Sequence, residues 1–304
     1  RSILKPSSHS TAPAEASPWR DAGTPQQFAP GLYLVATPIG NLRDITLRAL
    51  DLLSIADRIL CEDTRVTAKL LQHYGISRPT TSYHEHNAER MLPRVMEHLA
   101  AGETVALVSD AGTPLVSDPG YRLVRAAVEK GMMVTALPGP SAALAALSVA
   151  GLPTDCFLFA GFPPQKSAAR RRFFEEFRAT SATLIFYESP HRLQASLKDA
   201  AETLGDRPAA ICRELTKKFE EVRRGTLGAL ARSYGEEEHV KGEIVLIVGP
   251  PGDPAPAEEA DIDALLRDAM SRLSLKEAAA AVAAATGAPR RAVYARALAL
   301  KEGA

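Results

Sequence analysis

Short apolar runs alternate with amphipathic stretches of helical length from residue 31 to about residue 250. In the first half of this region each apolar run has the length and composition of a strand and is followed by apolar residues at helical spacing. Strands that are joined by helices lie parallel in one sheet. The pattern predicts a doubly wound α/β domain with strands at Leu32–Ala36, Arg58–Glu62, Thr80–Tyr83, Thr104–Ser109 and Met133–Ala136.

A second set of runs follows the turn signal Gly151-Leu152-Pro153 and predicts another α/β domain of similar size. A mixed sheet is expected here, because the run 219–225 can pair with a neighbour through a short connection. The predicted division is an N-terminal domain at 31–150 and a C-terminal domain at 151–250. Strands of the second domain are expected near 157–160, 182–187, 208–213, 219–225 and 243–249.

Both ends of the chain depart from this alternation. Residues 1–30 are rich in Pro, Ser and Ala, which predicts a disordered extension. The Pro-rich stretch 251–260 predicts a linker. Residues 261–304 predict two short helices in a helix-turn-helix-like tail, with Ser274 and Glu277 at capping-box spacing. An Ala-rich hairpin that packs on a second copy of the chain fits this pattern equally well.

Composition and charge narrow the class of protein. Lys plus Arg and Asp plus Glu both number 36, so any basic surface must be local. The cysteines, Cys61, Cys156 and Cys212, lack metal-ligand spacing and lie in or beside apolar runs, which predicts core positions, a reduced compartment and no metal site. No run is long enough to span a membrane and residues 1–30 lack a signal-peptide centre, so a cytoplasmic protein without a membrane partner is expected.

Gly, Pro and acidic residues gather in the loops that follow three of the predicted strands, at 37–46, 109–120 and 137–143. Open α/β sheets bind ligands at the carboxyl ends of their strands, because helix N-termini and free backbone N–H groups converge there. None of these loops has a glycine pattern that cradles phosphates. A ligand with polar ends and no phosphate, such as a nucleoside joined to an amino acid, is therefore favoured.

Seven motifs stand in sequence order between residues 31 and 249. They are Thr37–Thr46, Glu62–Arg65, Ser109–Pro114, Pro138–Ala142, Phe186–Arg192, Arg213–Lys217 and Lys241–Glu243. Together they resemble the RsmI family of ribosomal RNA (cytidine-2′-O)-methyltransferases, and the tail from residue 261 resembles that family's C-terminal helical module. The resemblance covers the chain except for residues 1–30.

The resemblance implies an α/β fold of the two-domain tetrapyrrole-methylase type, the class III fold of S-adenosylmethionine-dependent methyltransferases. It implies a homodimer that methylates the 2′-oxygen of a cytidine in 16S ribosomal RNA of the small ribosomal subunit. S-adenosylmethionine would lie in the cleft between the domains. The cofactor-binding residues that it implies are Pro38, Gly40, Asp110, Gly112, Thr113, Pro114, Ser141, Ala142, Tyr187, Glu188 and Gly242.

A ribose hydroxyl is a weak acid, so a base or a cation that eases its deprotonation should accelerate transfer. We predict that Asp63, Glu188 or Lys217 has this catalytic role. The pair His84 and His86 lacks the spacing of a metal site and is interpreted as part of a polar loop. The wider set of candidates also includes Glu62 and Glu214.

RNA phosphates require cations on the protein surface. The residues predicted to bind RNA are Arg65, Arg213, Lys217, Arg290 and Arg291. A solvated face of mixed charge is the alternative interpretation of the cluster around Arg213 and Lys217. Two other functions fit the same fold or surface, namely a methylase of a tetrapyrrole or another small molecule, and a non-catalytic RNA-binding protein.

Overall fold

The computed structural model describes residues 27–117, 120–237, 240–252 and 259–302. Residues 1–26 of the predicted disordered extension lie outside the described part. The last residues of that extension join the fold, since Phe28 packs edge-on against Tyr33 with ring centroids 5.6 Å apart. Tyr33 in turn donates a hydrogen bond to the Ala29 carbonyl at 2.6 Å.

The first sheet contains five parallel strands in the order β3-β2-β4-β1-β5, as the alternation of strands and helices predicts. Side chains alternate between its faces, so that Tyr33 contacts one helical layer and Leu32 the other. The elements are β1 Gly31–Val35, α1 Leu47–Ile55, β2 Arg58–Cys61, α2 Thr64–His73, β3 Thr80–Ser82, α3 Ala88–Ala100, β4 Thr104–Val108, α4 Tyr121–Glu129, β5 Val134–Leu137 and α5 Ala142–Ala150.

The second sheet is mixed, in the order β6-β7-β10-β8-β9, and only the pair of β6 and β7 is parallel. Helices α6 to α8 cover one face. Helix α5 covers the other through Ala143, Ala146 and Leu147, which pack against Ile185 and Val245. The elements are β6 Phe157–Phe159, α6 Ser167–Glu175, β7 Thr183–Glu188, α7 Leu193–Leu204, β8 Pro208–Arg213, β9 Glu221–Thr226, α8 Leu227–Gly235 and β10 Ile244–Val248.

Three helices, rather than the two expected, form the C-terminal module. They are α9 Glu259–Met270, α10 Leu275–Thr286 and α11 Arg290–Glu302, so α9 begins inside the predicted linker. Leu266 of α9 is buried against Val282 and Val293 of the other two helices. The predicted capping box is present, with the Ser274 backbone N–H donating to the Glu277 carboxylate at 3.1 Å.

Two of the three cysteine predictions hold. Cys61 and Cys212 are buried, but Cys156 is exposed because it precedes β6 at the edge of the second sheet. None of the helices in the described residues is both long and apolar enough to cross a membrane.

Candidate active site in the interdomain cleft

A cleft of about 420 Å³ opens between the two domains. It lies past the carboxyl ends of β1 and β4, where the loops of an open α/β sheet bind ligands. Apolar side chains form much of its lining, including Ile39 and Ala142 from the first domain and Leu215 and Val245 from the second. Such a surface suits the apolar parts of a small ligand, while the loops supply polar groups.

Seven of the residues predicted to bind the cofactor fall into two groups. Those that line the cleft are Asp110, Ala142, Tyr187, Glu188 and Gly242. Others support its wall: Gly112 exchanges backbone hydrogen bonds of 2.9 and 3.0 Å with Thr37, and Thr113 donates to the Pro140 carbonyl at 3.1 Å. These bonds tie together the loops that follow β1, β4 and β5.

Three further predicted cofactor residues, Pro38, Pro114 and Ser141, lie around the edge of this wall. Pro38 lines a neighbouring cavity of about 180 Å³. Pro114 is buried beside Thr113. Ser141 precedes α5 at the N-cap, without a capping hydrogen bond from its side chain. Their contact with a cofactor therefore stays a prediction.

Glu188 ends strand β7 and is one of the residues that line the cleft, although it is only 3% exposed. Its Oε1 accepts a hydrogen bond from the Ser189 backbone N–H at 2.7 Å and forms an ion pair with Arg192 at 2.9 Å. Its Oε2 is buried and has no hydrogen-bond partner among the described residues. Burial of an unpaired polar atom is costly, so this oxygen has an unmet demand for a hydrogen-bond donor beside the cleft.

Lys217 lies between two carboxylates, with its Nζ 2.8 Å from Glu214 Oε1 and 3.1 Å from Glu243 Oε2. Burial opposes the charge of Lys217, but the hydrogen bonds to Glu214 and Glu243 outweigh it and raise the pKa of the lysine. The hydrogen bond from Lys217 lowers the pKa of Glu214. Lys217 is therefore charged at neutral pH and holds the cleft wall together, which disfavours a role as a base.

Gly40 and Gly242 were both predicted to contact the cofactor, and the structure gives each a packing role. A Cβ at Gly40 would collide with the Lys217 side chain, and one at Gly242 would collide with that of Glu214. Gly242 also has a φ of +95°, which disfavours other residues. Both glycines make room for the loop of residues 214–217, and Gly242 lines the cleft as well.

Backbone strain is concentrated in two loops of the cleft. Val116 and Leu215 line the cleft, and each lies between two non-glycine residues with left-handed backbone. Such conformations cost about 1–3 kcal/mol each and persist where the surroundings fix them. Among the described residues, the non-glycine positions with positive φ are Leu115, Ser117, Glu214 and Thr216, with values from 51° to 72°.

Asp63 lies outside the cleft, at the N-cap of α2, where its carboxylate accepts from the Arg65 backbone N–H at 2.8 Å. Hydrogen bonds from the Arg65 side chain and backbone lower the pKa of Asp63 to about 2. A carboxylate of this pKa is a poor base at neutral pH, which disfavours Asp63 in that role. The Asp63 backbone N–H donates to Asp110 at 3.0 Å, and Asp110 reaches the cleft.

A second, polar pocket of about 510 Å³ adjoins the cleft at Asp110. No cluster of His, Cys, Asp and Glu in the described residues is arranged to hold a metal ion. The pocket is a polar recess beside the cleft. Its lining includes Glu62, Asp63, Arg65, His84 and His86.

The cations predicted to bind RNA differ in their surroundings. Arg65 is paired with Asp63 at 2.6 Å, and Arg213 with Glu221 at 2.9 Å. The latter pair belongs to the mixed-charge face that was the alternative interpretation of this cluster. Arg290 and Arg291 are exposed at the start of α11, on the C-terminal module.

Sequence reasoning did not single out Phe162, which lines the cleft and is 55% exposed. Its ring lies 5.4 Å from that of Tyr187, which also contacts Phe159 at 4.8 Å between centroids. An aromatic residue that follows a glycine in a Pro-rich loop was the available signal, but loops carry no periodicity that tells a lining residue from an outward one.

Comparison with known proteins agrees with this architecture. The family model described as Tetrapyrrole (Corrin/Porphyrin) Methylases matches residues 31–231. A second model, the RsmI C-terminal HTH domain, matches residues 256–301. In fold the chain is similar to uroporphyrin-III C-methyl transferase from Thermus thermophilus in complex with S-adenyl homocysteine, with a TM-score of 0.51, 22% identity, and coverage of 72% of this chain and 97% of that one.

Two relatives are similar over almost their whole length, and both are named ribosomal RNA small subunit methyltransferase I. The protein from Mesorhizobium japonicum is 56% identical, with 90% of this chain and 93% of the relative covered. The protein from Halalkalibacterium halodurans is 49% identical, with 86% and 93% covered. The chain therefore belongs to the tetrapyrrole methylase family and, within it, to the family of the ribosomal RNA small subunit methyltransferases I.

Proposed function

We propose that this enzyme transfers a methyl group from S-adenosylmethionine to the 2′-oxygen of a cytidine in 16S ribosomal RNA. The observation that carries the proposal is the interdomain cleft, whose lining includes Asp110, Ala142, Tyr187 and Glu188, with the Glu188 Oε2 buried and without a partner among the described residues. The names of the relatives support the small-subunit RNA as acceptor. The motif resemblance supports the cytidine 2′-oxygen as the site of methylation.

The cleft residues fit S-adenosylmethionine. The apolar side chains of Ile39, Ala142 and Val245 suit a nucleoside ring, and Asp110 supplies acceptor oxygens that tolerate a positive sulfur. Gly242 has no side chain to obstruct the opposite wall. When bound, this cofactor supplies a methyl group that is attached to a cationic sulfur, and the sulfur is a good leaving group for displacement at the methyl carbon.

The chain's own residues would then position the acceptor and manage its proton. Glu188 Oε2 is the proposed acceptor of the hydroxyl proton, since Oε1 is already held by Ser189 and Arg192. This hold fixes the carboxylate geometry in advance, which lowers the cost of aligning reacting groups. The apolar lining excludes water from the reacting atoms.

We also propose that the enzyme acts as a homodimer in the cytoplasm, where its ribosomal substrate would be found. Helix α4 exposes Tyr121 and Val128, which are 68% and 60% accessible and lie seven residues apart on one helical face. Apolar side chains presented in this way favour burial against another subunit. Light scattering of the purified protein tests the dimer, and a monomer at micromolar concentration would contradict it.

The decisive experiment is transfer of labelled methyl from S-adenosylmethionine to small ribosomal subunits that lack the modification, with nuclease mapping of the label. Label on a cytidine 2′-oxygen is the expected result. Binding of the cofactor without labelling of RNA would instead indicate a small-molecule methylase of the same fold.

A further inference from the structure

Phe162 is an exposed aromatic ring on a loop that the structure holds firmly. Just before Phe162 in the chain, the Gly161 carbonyl accepts a hydrogen bond of 2.9 Å from the Tyr187 backbone N–H. Just after it, the Gln165 carbonyl accepts one of 2.9 Å from the Arg170 side chain. The ring packs against Tyr187, yet 55% of the residue stays exposed at the cleft, and an apolar surface held in place there favours a binding role.

The anchor of this loop is itself buried. Arg170 is 3% exposed and forms an ion pair of 2.6 Å with Asp199, which is also buried. Arg192, which holds Glu188, reaches the same loop through the Pro163 carbonyl at 3.4 Å. Arg192 therefore contacts both the backbone of this loop and the carboxylate of the candidate base.

The ring lies at the opening of the cleft rather than in its depth. A Cβ at Gly161 would lie 3.5 Å from Ser117 Oγ, so the loop faces the first domain where the cleft meets solvent. A large acceptor must approach from this side. Lys166, four residues after Phe162, is exposed and makes no ion pair with the described residues, so its charge is available to pair with a phosphate of the RNA backbone.

We propose that Phe162 is the stacking platform for an unpaired nucleobase of the acceptor RNA, next to the ribose that is methylated. The inference rests on the proposed function and deepens it, because it names the part of the substrate that this edge of the cleft recognises. Aromatic rings hold single-stranded bases by their faces, whereas a hydrophobic side chain without a π-face does so poorly.

The test compares Phe162→Ala, Phe162→Leu and Phe162→Tyr with wild type. The readouts are kcat/KM for methyl transfer to unmodified small subunits and, by calorimetry, the Kd for S-adenosylhomocysteine. The Ala and Leu variants should lose roughly 5- to 100-fold in kcat/KM, while the Tyr variant stays within about threefold of wild type. The Kd for S-adenosylhomocysteine should change less than about twofold in all of them, because the ring is assigned to the acceptor.

Phe157→Ala is the matched control. Phe157 begins β6 on the same segment and is 45% exposed, but it is not among the cleft-lining residues, so its loss should leave kcat/KM unchanged. A Leu variant as active as wild type would overturn the stacking role. A weaker Kd for S-adenosylhomocysteine that accounts for the whole loss would assign the ring to the cofactor. Failure of wild type to label RNA would overturn the proposed function as well, so the two failures are distinguishable.

Discussion

Arg192 forms an ion pair with Glu188 Oε1 at 2.9 Å, while Oε2 of the same carboxylate is buried without a hydrogen-bond partner among the described residues. The arginine therefore fixes a carboxylate that has one oxygen left to accept a proton. The most direct prediction for the site therefore concerns the loss of this carboxylate.

Replacement of Glu188 by Gln should lower the rate of methyl transfer by roughly 10²–10⁴-fold, because the amide cannot accept the hydroxyl proton. The Kd for S-adenosylhomocysteine should change little if the carboxylate acts on the acceptor. Single-turnover rates with unmodified small subunits measure the effect. Near-normal rates in Glu188→Gln would place the base elsewhere, and a lost rate explained by weak cofactor binding would make Glu188 a cofactor ligand.

Replacement of Gly242 by Ala should lower the free energy of unfolding by about 1–3 kcal/mol, because the new methyl group meets the Glu214 side chain at a backbone position with positive φ. Urea denaturation measures this change. Gly102→Ala is the matched control, since Gly102 has a φ of +80° but no atom within 4 Å of its Cβ position. Equal losses in the two variants would show that the backbone, rather than the contact with Glu214, sets the cost.

Replacement of Lys217 by Met should lower the free energy of unfolding by about 1–3 kcal/mol at pH 7.5, because the mostly buried carboxylate of Glu214 loses its cation, whereas the exposed carboxylate of Glu243 contributes little. The raised pKa of Lys217 means that its contribution is full below the unfolded-state pKa and is lost as pH rises through the folded-state pKa. The lowered pKa of Glu214 means that its contribution is present above its unfolded-state pKa and is lost as pH falls through the folded value.

The difference between wild type and Lys217→Met should therefore be largest between about pH 5 and pH 10 and should shrink outside that window. Thermal denaturation over a pH series measures it. A difference that is constant down to pH 3 would show that Lys217 acts through the packing of its aliphatic stem instead of its charge.

Replacement of Arg290 and Arg291 together by Gln should weaken binding to the small subunit and make the salt dependence of binding shallower by about 1.5 in the slope of log K against log salt, if each meets one phosphate. Filter binding at several salt concentrations measures the slope. Arg272→Gln is the control on the same module, because Arg272 is exposed but paired with Asp268 at 2.5 Å. An unchanged slope in the double variant would favour the interpretation of this module as a packing surface.

Much of the fold could be predicted from the sequence, because strands and helices each impose a period on apolar residues. The five βα units and the mixed second sheet follow from this pattern. Helix α9 was missed, although Ile262 and Leu266 lie four residues apart, because the Pro-rich stretch before it suggested a linker. The packing of helix α5, a part of the predicted first domain, on the second sheet was also not predictable, since periodicity does not tell which sheet a helix covers.

The candidate site was only partly predictable. Glu188 and Asp110 belong to motifs after strand ends, and both line the cleft. A glycine in a motif does not reveal which neighbouring side chain occupies the position that a Cβ would take. At Gly40 that neighbour is Lys217. Val116 lines the same cleft from a loop with strained backbone at Leu115 and Ser117, and no pattern of residue types predicts such strain.

The last strand of the second sheet, β10, is also its central one, between β7 and β8. A nascent chain that has emerged only as far as residue 243 leaves the inner edges of β7 and β8 without their shared partner. Such edges recruit other strands, so the growing chain is exposed to misassembly until Ile244–Val248 is available. Ile244 and Val245 of that same segment line the cleft. Cofactor binding during synthesis would therefore indicate that β10 has joined the second sheet.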